Sequence, residues 1–595
     1  MPLSIADKLG TIRQALAKLN IDAFIQPRAD EYLGEYVPKA NERLKWLTGF
    51  TGSAGAAVVM AQRAAIFIDG RYTVQVRQQV DASLFEYQSL TDLPLADYLI
   101  QTLTAPSRVG VDARLHTLAW YQQTQGQLAK AGIELVALTT NPIDDAWLER
   151  PAMPSSPAIL FSDELAGNTS LEKRELVGAK INKAGAQVAL ITALDSCAWL
   201  LNLRGRDIPC LPVLLGTGLL SANGNMRFFT DLTKLPSNII SHVGAGVEFY
   251  PEQQLHEHLI ALNGQRLLAD SHSANAASQL TAELAGAKLI DAMDPVALIK
   301  ACKNPQELAG MRASHVRDGL AVSRFLAWLD SEVAAGRLYD EAQLADKLES
   351  FRKLDSQYLE PSFDTISAAG SNAAMCHYNH LNGTPATVPI NSLYLVDSGA
   401  QYLDGTTDVT RTIAIGDVSA EHKQMVTLVL KGHIALDQAK FPKGTTGQQL
   451  DILARQYLWQ YGYDYDHGTG HGVGHCLSVH EGPQRIGKNT NATPLMPGMV
   501  LSNEPGYYRD GQFGIRIENL VVVQESETLQ GTERTMYEFA PLTLIPIDKR
   551  LLQTSLLTSS EITWLNHYHA KVFAAHASHL TGAELSWLTA ATSPL

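Results

Sequence analysis

The chain has 595 residues, of which 45% are hydrophobic and 18% are charged, proportions typical of a folded globular protein. Its formal net charge of −14 argues against a nucleic-acid surface as its main function, because phosphate binding needs a basic face. Since domains usually have roughly 100–200 residues, three or four of them are expected.

The cysteines and the first twenty residues indicate the cellular compartment in which the protein is expected. The five cysteines are odd in number and lack CxxC spacing, so they predict neither a disulfide framework nor a zinc knuckle, which fits a reducing compartment. The first twenty residues lack the pattern of a secretory signal, and no apolar run reaches the roughly 18 residues of a membrane span. We therefore expect a cytoplasmic protein without a membrane or nucleic-acid partner.

The first part of the chain predicts α/β structure. Apolar residues share one face of a predicted first helix: Ile5, Leu9, Ile12, Leu16 and Leu19. The apolar segment DAFIQ follows and is predicted to be a strand. Residues 170–192 repeat this order, with a glycine stop at Gly185. The repeat indicates two related domains, and chance similarity between two α/β units is the alternative.

Two boundaries divide the chain into predicted domains 1–145, 146–302 and 303–595. Four prolines within residues 142–157 argue against regular structure there. The second boundary precedes a strong helix start, with Asn304 as N-cap, Pro305 at the first helical position and Glu307 at the third. Further helices are expected near 420–440 and 447–461 and in the tail 549–595.

Asp397 and Asp408 lie in strand-like segments that flank the turn signal Asp404-Gly405. A two-residue turn there would pair Asp397 with Thr412 and stagger the two aspartates by four residues, about 13 Å. Paired catalytic metals lie only about 3.5–4 Å apart. If both aspartates serve one site, a bulge or a wider turn must therefore shift the register. A surface hairpin is the alternative.

The segment HGTGHGVGHCLSVH holds four histidines, at positions 467, 471, 475 and 480. Its interleaved glycines argue against a helical metal motif. Glu504 precedes a Pro-Gly turn, and Glu518 lies in the strand-like segment GIRIENLVVV on the same face as Arg516. A surface salt bridge is one interpretation of that pair, but the valines indicate a central strand, where unpaired charge is costly.

These side chains predict a two-metal hydrolytic site rich in oxygen ligands: Asp397, Asp408, His471, Glu504 and Glu518. Oxygen-rich ligation makes Mn²⁺ the first choice, with cobalt, zinc or magnesium as alternatives. Arg516 can offset the negative charge that remains.

The motifs DGTTDVTRT, HGTGHGVGH with VHEGP, SNEPGYY and GIRIENL occur in that order, with the aspartates eleven residues apart. On these motifs the chain resembles the pita-bread metallopeptidases, most closely the large three-domain Xaa-Pro aminopeptidases of the cytosol. FTGSAG, DGRY, TALDSCAWLLNLRG, APLTLIPI and WLNHYH extend the resemblance over the whole chain. It implies two creatinase-like N-terminal α/β domains, then a pita-bread catalytic domain of α+β type with a C-terminal extension.

The resemblance also implies roles for residues. Asp397 and Asp408 are expected as aspartate ligands, with Asp408 bridging two divalent ions, most simply Mn²⁺. His471 and Glu504 would ligate one ion, and Glu518 would be the second bridge. Outer residues are expected to bind substrate and stabilise the tetrahedral intermediate: His377, His467, His480 and Arg516.

The implied activity is hydrolysis of the first peptide bond of peptides with proline at the second position, by a metal-bridged hydroxide. Glu504 would act as general base, and a homodimer is expected. A prolidase-like dipeptidase would share every ligand, although the length of the chain favours the aminopeptidase. A metal-free creatinase-like hydrolase and a catalytically inactive peptide-binding module are further alternatives. For FTGSAG and DGRY we expect tight turns and a buried ion pair, and otherwise a substrate or dimer surface.

Overall fold

The computed structural model describes residues 3–526, 529, 531 and 533–595. The chain divides into two compact units, Met1–Ala297 and Leu298–Leu595. No helix in the described residues is long and apolar enough to cross a membrane.

The described residues of the first unit form two six-stranded sheets, ordered β4-β3-β2-β1-β5-β6 and β12-β11-β10-β8-β13-β14, and a small pair of β7 with β9. The strands are β1 (Ala23–Pro27), β2 (Ala56–Met60), β3 (Ala64–Ile68), β4 (Glu86–Ser89), β5 (Ser107–Val111), β6 (Ile133–Ala137), β7 (Ile159–Leu160), β8 (Val188–Ile191), β9 (Leu203–Arg204), β10 (Thr217–Ser221), β11 (Met226–Phe229), β12 (Val247–Tyr250), β13 (Arg266–Ala269) and β14 (Lys288–Asp291). The helices are α1 (Ile5–Leu19), α2 (Arg43–Thr48), α3 (Gln75–Gln79), α4 (Leu95–Thr102), α5 (Leu118–Lys130), α6 (Pro142–Ala146), α7 (Asp163–Ala166), α8 (Ser170–Lys183), α9 (Leu194–Leu201), α10 (Ile239–Val243), α11 (Leu255–Ile260) and α12 (Ala276–Leu284).

The predicted helix–strand repeat is present in both sheets. Helices α1 and α8 each begin with a capping box, and each is followed by a buried strand, β1 or β8. Strands β2 and β3 are buried at every residue, as expected for a sheet covered on both faces. The proline-rich segment differs in part from the prediction. Helix α6 forms because Asn141 caps it and Pro142 suits its first turn, whereas residues 151–157 have no regular structure.

The motifs FTGSAG and DGRY meet within the first unit. The hydroxyl of Tyr72 accepts a hydrogen bond from the backbone N–H of Ser53 at 3.1 Å. A Cβ at Gly52 would lie 2.3 Å from the ring of Phe50, so the turn needs glycine there. Arg71 pairs with Asp69 at 2.7 Å, but both side chains are about a quarter exposed, so the expected buried ion pair is half-buried.

In the second unit, the described strands form a six-stranded sheet, two three-stranded sheets and a two-stranded ribbon. The strands are β15 (Tyr358–Pro361), β16 (Ile366–Ala369), β17 (Ser392–Ser398), β18 (Ala400–Tyr402), β19 (Gly405–Thr406), β20 (Val409–Ile415), β21 (Lys440–Pro442), β22 (Gly470–Gly472), β23 (Glu481–Ile486), β24 (Val500–Asn503), β25 (Gly506–Arg509), β26 (Phe513–Arg516), β27 (Asn519–Glu525) and β28 (Met536–Pro541). Their orders are β15-β18-β19, β16-β17-β20, β21-β28-β27-β24-β22-β23 and β25-β26.

Helix α13 (Ala297–Ala301) precedes the helices of this unit: α14 (Pro305–Ala334), α15 (Glu341–Arg352), α16 (Ala420–Asp437), α17 (Gly447–Trp459), α18 (Ser559–His576) and α19 (Gly582–Thr592). Helix α14 begins as predicted, because Asn304 accepts a hydrogen bond from the N–H of Glu307, whose carboxylate accepts from the N–H of Asn304. The helices predicted near 420–440 and 447–461 and in the tail are also present. The three-domain division 1–145, 146–302 and 303–595 stays a prediction.

Candidate metal centre

The hairpin that carries Asp397 and Asp408 does not close at Asp404-Gly405. Strand β17 pairs with β20 so that Asp397 lies opposite Thr410, and Tyr402 pairs with Gly405 at the tip. The turn is therefore Leu403-Asp404, one residue earlier than the sequence signal. The stagger between the aspartates falls from four residues to two. Asp397 and Asp408 are therefore diagonal neighbours on one face of the hairpin, with about 7–8 Å between their Cα atoms.

The prediction that a plain Asp404-Gly405 turn is excluded is therefore confirmed, but the expected cause is wrong. Neither a wider turn nor a bulge within this pairing shifts the register. Instead Asp404 forms an ion pair with Arg317 of α14, and a Cβ at Gly405 would lie 2.3 Å from the hydroxyl of Ser314. Contacts with α14 thus favour a two-residue turn displaced by one position.

His471 lies in strand β22, which excludes a helical motif. A Cβ at Gly470 would lie 2.1 Å from the carbonyl of Ser502, so the flanking glycine lets β22 approach β24. The Nδ1 atom of His471 faces the carbonyl oxygen of Gly472 at 2.9 Å and must donate to it. Its Nε2 atom lies 3.5 Å from Asp408 and 3.7 Å from Glu504, in the position of a metal-ligating atom.

Glu504 and Glu518 lie at strand ends. Glu504 follows β24 and precedes β25, as the Pro-Gly signal predicted. Glu518 is not inside one continuous strand, as the sequence pattern suggested. Strand β26 pairs with β25, β27 pairs with β24 and β28, and Glu518 lies where the chain passes from one sheet to the other. It is 1% exposed, and Arg516 pairs with Asp397 at 2.6 Å, so a surface salt bridge is excluded.

The candidate ligands converge. Ligand atoms of Asp408, His471 and Glu518 all lie within 4.8 Å of one another. Three buried carboxylate oxygens accept no hydrogen bond from any residue that the structure describes: Asp397 Oδ1, Asp408 Oδ1 and Glu518 Oε1. Leaving such oxygens unsatisfied is costly, so this donor set fits divalent cations that favour oxygen ligands.

Electrostatics also favour cations here. Burial, opposed by Arg516 and reinforced by Asp408, raises the pKa of Asp397 to about 6. Burial and the two aspartates raise the pKa of Glu518 well above its usual range, and burial raises that of Glu504. Burial opposes protonation of His471, but Asp408 and Glu504 raise its pKa to about 9. Negative charge is therefore costly at this place, and a bound cation would relieve that cost.

The outer histidines surround this cluster. The His467 Nδ1 atom lies 2.7 Å from the Gly468 carbonyl, and Nε2 lies 2.9 Å from the Tyr508 hydroxyl. Nδ1 must donate to that carbonyl, so Nε2 accepts from Tyr508, which accepts in turn from Arg516. Both ring nitrogens are thus engaged, and burial lowers the pKa of His467 well below its usual range.

His480 and His377 complete the predicted set. The rings of His480 and His471 lie edge to face with centroids 4.3 Å apart. His377 is half-buried, and its charge is one of those that lower the pKa of His467, so it belongs to the same surroundings.

Two further residues of the site had not been singled out from the sequence. Thr410 donates to Glu518 Oε2 at 2.7 Å and accepts from Arg516 at 3.0 Å. Tyr508 links Arg516 to His467. Both lie inside motifs already noted, DVTRT and SNEPGYY. Their closeness in sequence to predicted ligands is the feature that could have identified them as site residues.

Comparison with known proteins assigns the family. Residues 309–525 match the family model described as metallopeptidase family M24, and 535–595 match its C-terminal region. Residues 8–145 and 149–307 each match a creatinase/prolidase N-terminal domain. A probable Xaa-Pro aminopeptidase P of Tuber melanosporum is 38% identical over 612 residues, and one of Fusarium vanettenii is 40% identical over 615, with 99% of each chain covered in both cases. The chain belongs to the Xaa-Pro aminopeptidase P family.

A solved structure agrees with this assignment. The X-prolyl aminopeptidase of Caenorhabditis elegans, described as a cytosolic enzyme with a di-nuclear active site, superposes with a TM-score of 0.95 at 35% identity and covers 100% of both chains. The resemblance inferred from the motifs is therefore confirmed. So is the fold: two creatinase-like N-terminal α/β domains followed by a pita-bread metallopeptidase domain.

Proposed function

We propose that this protein is a two-metal aminopeptidase that removes the first residue of peptides with proline at the second position. The observation that carries the proposal is the convergence of the predicted ligands around three buried carboxylate oxygens that lack donors among the described residues. Relatives named Xaa-Pro aminopeptidase P over 99% of the chain support the substrate class. They favour the aminopeptidase over the prolidase-like alternative.

Five side chains would hold two ions: Asp397, Asp408, His471, Glu504 and Glu518. Asp408 and Glu518 would each contribute to both ions, and Mn²⁺ is the first choice because four of the five ligands are carboxylates. Bound there, the ions would lower the pKa of water and polarise the peptide carbonyl.

The chain's own side chains would bind and orient the substrate and transfer the proton that the leaving amine takes up. Glu504 is the proposed general base, which would take up a proton and pass it to the leaving amine; burial raises its pKa, which favours proton uptake. His480 and His377 would donate hydrogen bonds where negative charge develops. Since both nitrogens of His467 are engaged, it offers only ring surface to a substrate.

Proline specificity has a physical reason. An Xaa-Pro bond has no N–H, so a site cannot hold it by the usual amide donor and must recognise the ring by shape. The hydrogen-bonded group of His467, Tyr508 and Arg516, of which His467 and Arg516 are buried, would form one wall of such a pocket.

We also propose that the protein is a cytoplasmic homodimer. Light scattering coupled to gel filtration measures the mass of the particle in solution and tests the dimer.

The test compares metal-free and metal-loaded protein. After chelation and re-addition of Mn²⁺, we expect hydrolysis of Xaa-Pro-Yaa tripeptides, little hydrolysis of Xaa-Ala-Yaa controls and none by the Asp408→Ala variant. Equal rates on the alanine series, or activity that survives chelation, would overturn the proposal. A preference for Xaa-Pro dipeptides would identify a prolidase instead.

A further inference from the structure

Three buried charged side chains form a cluster around Glu481, the residue after His480, and have no part in the chemistry proposed above. Lys300 Nζ donates to Glu481 Oε2 at 2.7 Å, and Lys303 Nζ donates to Glu481 Oε1. Lys303 Nζ also donates to the carbonyl of Lys300 at 3.1 Å. Each of the three side chains is at most 3% exposed.

Stability alone does not explain such a cluster. Removing charges from water costs several kcal/mol per ion, and apolar side chains of similar volume often stabilise a core at least as well. What ionic contacts add is direction, because each lysine holds one carboxylate oxygen at a set distance. A backbone segment attached to Glu481 is therefore fixed in position.

That segment carries His480. Glu481 is the first residue of β23, and its backbone pairs with Gly472, the neighbour of His471. A Cβ at Gly472 would lie 2.4 Å from the carbonyl of Glu481, so the two backbones are in close contact. The hydroxyl of Ser478 also donates to the carbonyl of His480 at 2.8 Å. The backbone is thus held at the carbonyl of His480 and at Glu481.

We propose that Lys300, Lys303 and Glu481 are positioning residues that set the place of the His480 ring beside His471. The inference rests on the proposed function, since it assigns His480 a donor role in peptide hydrolysis. Displacement of a catalytic group by about 1 Å can cost roughly 100-fold in rate. Loosening the cluster should therefore lower kcat and leave substrate affinity and metal content largely unchanged.

The test is a double-mutant cycle with His480→Ala on the metal-loaded full-length protein. Glu481→Gln keeps the shape but loses the charge, and Lys303→Met leaves the balanced Lys300–Glu481 pair, so it retains a way to fold. We expect each to lower kcat about 10- to 100-fold on an Xaa-Pro-Yaa peptide, with KM changed less than about threefold. In the His480→Ala background, each should cost less than about threefold more.

Lys431→Met is the matched control. Lys431 forms a buried pair with Glu561 at 2.6 Å within the same unit, and its hydrogen-bond acceptors, Glu561 and the carbonyl of Leu556, are not candidate ligands. It should lower the melting temperature but leave kcat per folded molecule within about twofold. Metal content, measured by elemental analysis, gives a readout independent of activity and should equal that of the unaltered protein in every variant.

The outcomes separate this inference from the proposed function. If the cluster variants lose activity only in proportion to unfolded protein, as the control does, or if their losses multiply with that of His480→Ala, the positioning role is wrong. If the unaltered protein fails to hydrolyse Xaa-Pro-Yaa, or if His480→Ala has full activity, the proposed function or the role of His480 is wrong instead.

Discussion

The hydroxyl of Thr410 holds two charged groups of the metal centre in register. It accepts from Arg516 and donates to Glu518 Oε2, so Glu518 Oε1 is the oxygen that has no donor among the described residues. Thr412, two residues along the same strand, instead bonds the backbone of Arg516, as donor to its carbonyl at 2.9 Å and acceptor from its N–H at 3.1 Å. Both threonines are buried, but they bond different partners.

Thr410→Val should therefore weaken metal binding more than Thr412→Val does. Loss of a hydrogen bond to a carboxylate that ligates a metal typically lowers metal affinity about 10- to 100-fold. Titration of the metal-free protein with Mn²⁺ in a calorimeter measures the change. We expect Thr412→Val to stay within about threefold of the unaltered protein and Thr410→Ser to restore most of the affinity. Equal losses in both valine variants would contradict the assignment.

Asp437, the last residue of α16, should make the free energy of unfolding depend on pH. Burial raises its pKa to about 6, although Trp564 donates to its Oδ2 atom at 2.7 Å. Because the folded carboxyl binds a proton more tightly than the unfolded one, stability falls as pH rises from about 4 to about 6. The penalty is fully present above pH 6.

Asp437→Asn keeps an acceptor for Trp564 and removes the charge. It should stabilise the protein at pH 8 by about 1–3 kcal/mol, seen as a higher melting temperature. The difference from the unaltered protein should shrink as pH falls from 8 towards 5, while the metal site is the same in both. A variant that is less stable at pH 8, or a gain independent of pH, would exclude this role for Asp437.

At the scale of elements, the hairpin between Asp397 and Asp408 depends on a glycine. Gly399 lies where the chain leaves β17 and enters β18, and a Cβ there would lie 1.9 Å from the carbonyl of Thr407. Gly399→Ala should therefore separate the two strands, lower the melting temperature and reduce metal content, because both aspartates depend on this pairing. Gly383→Ala, with nothing within 4 Å of its Cβ, is the control. Normal metal content in Gly399→Ala would contradict the argument.

Helix starts were predictable from the sequence because their causes are local. The cap of α14 involves Asn304, Pro305 and Glu307, which stand within four positions of one another. The place of the hairpin turn was not predictable, because it depends on Arg317, 87 residues from Asp404. The break before β27 was also hidden, because the alternation of apolar residues continues through Glu518 while the chain changes its partner strand.

The candidate ligands were recognisable because carboxylates and histidines stand out in apolar, glycine-rich surroundings. The cluster of Lys300, Lys303 and Glu481 was not, because lysines flanking a helix start are usually solvated. Only the fold brings them to Glu481, about 180 positions away.

At the scale of the whole molecule, every candidate ligand belongs to the unit Leu298–Leu595. Mn²⁺ should therefore slow amide hydrogen exchange in peptides covering residues 395–412, 469–473 and 500–520, where the ligands lie, with smaller effects within Met1–Ala297. Exchange measured by mass spectrometry on the metal-free and loaded forms checks this. Uniform protection of both units, or none near the ligands, would contradict the assigned centre.

The two lysines that bind Glu481 determine where a shortened chain containing the second unit should begin. Domain families and sequence signals place a boundary near residues 302–307, yet Lys300 and Lys303 both contact the strand next to the metal centre. A shortened chain that starts at the helix cap Asn304 would preserve every metal ligand and still lose both lysines. Any attempt to isolate or fuse the catalytic part should therefore keep the chain from Leu298 onward, because the functional unit begins before the homologous domain does.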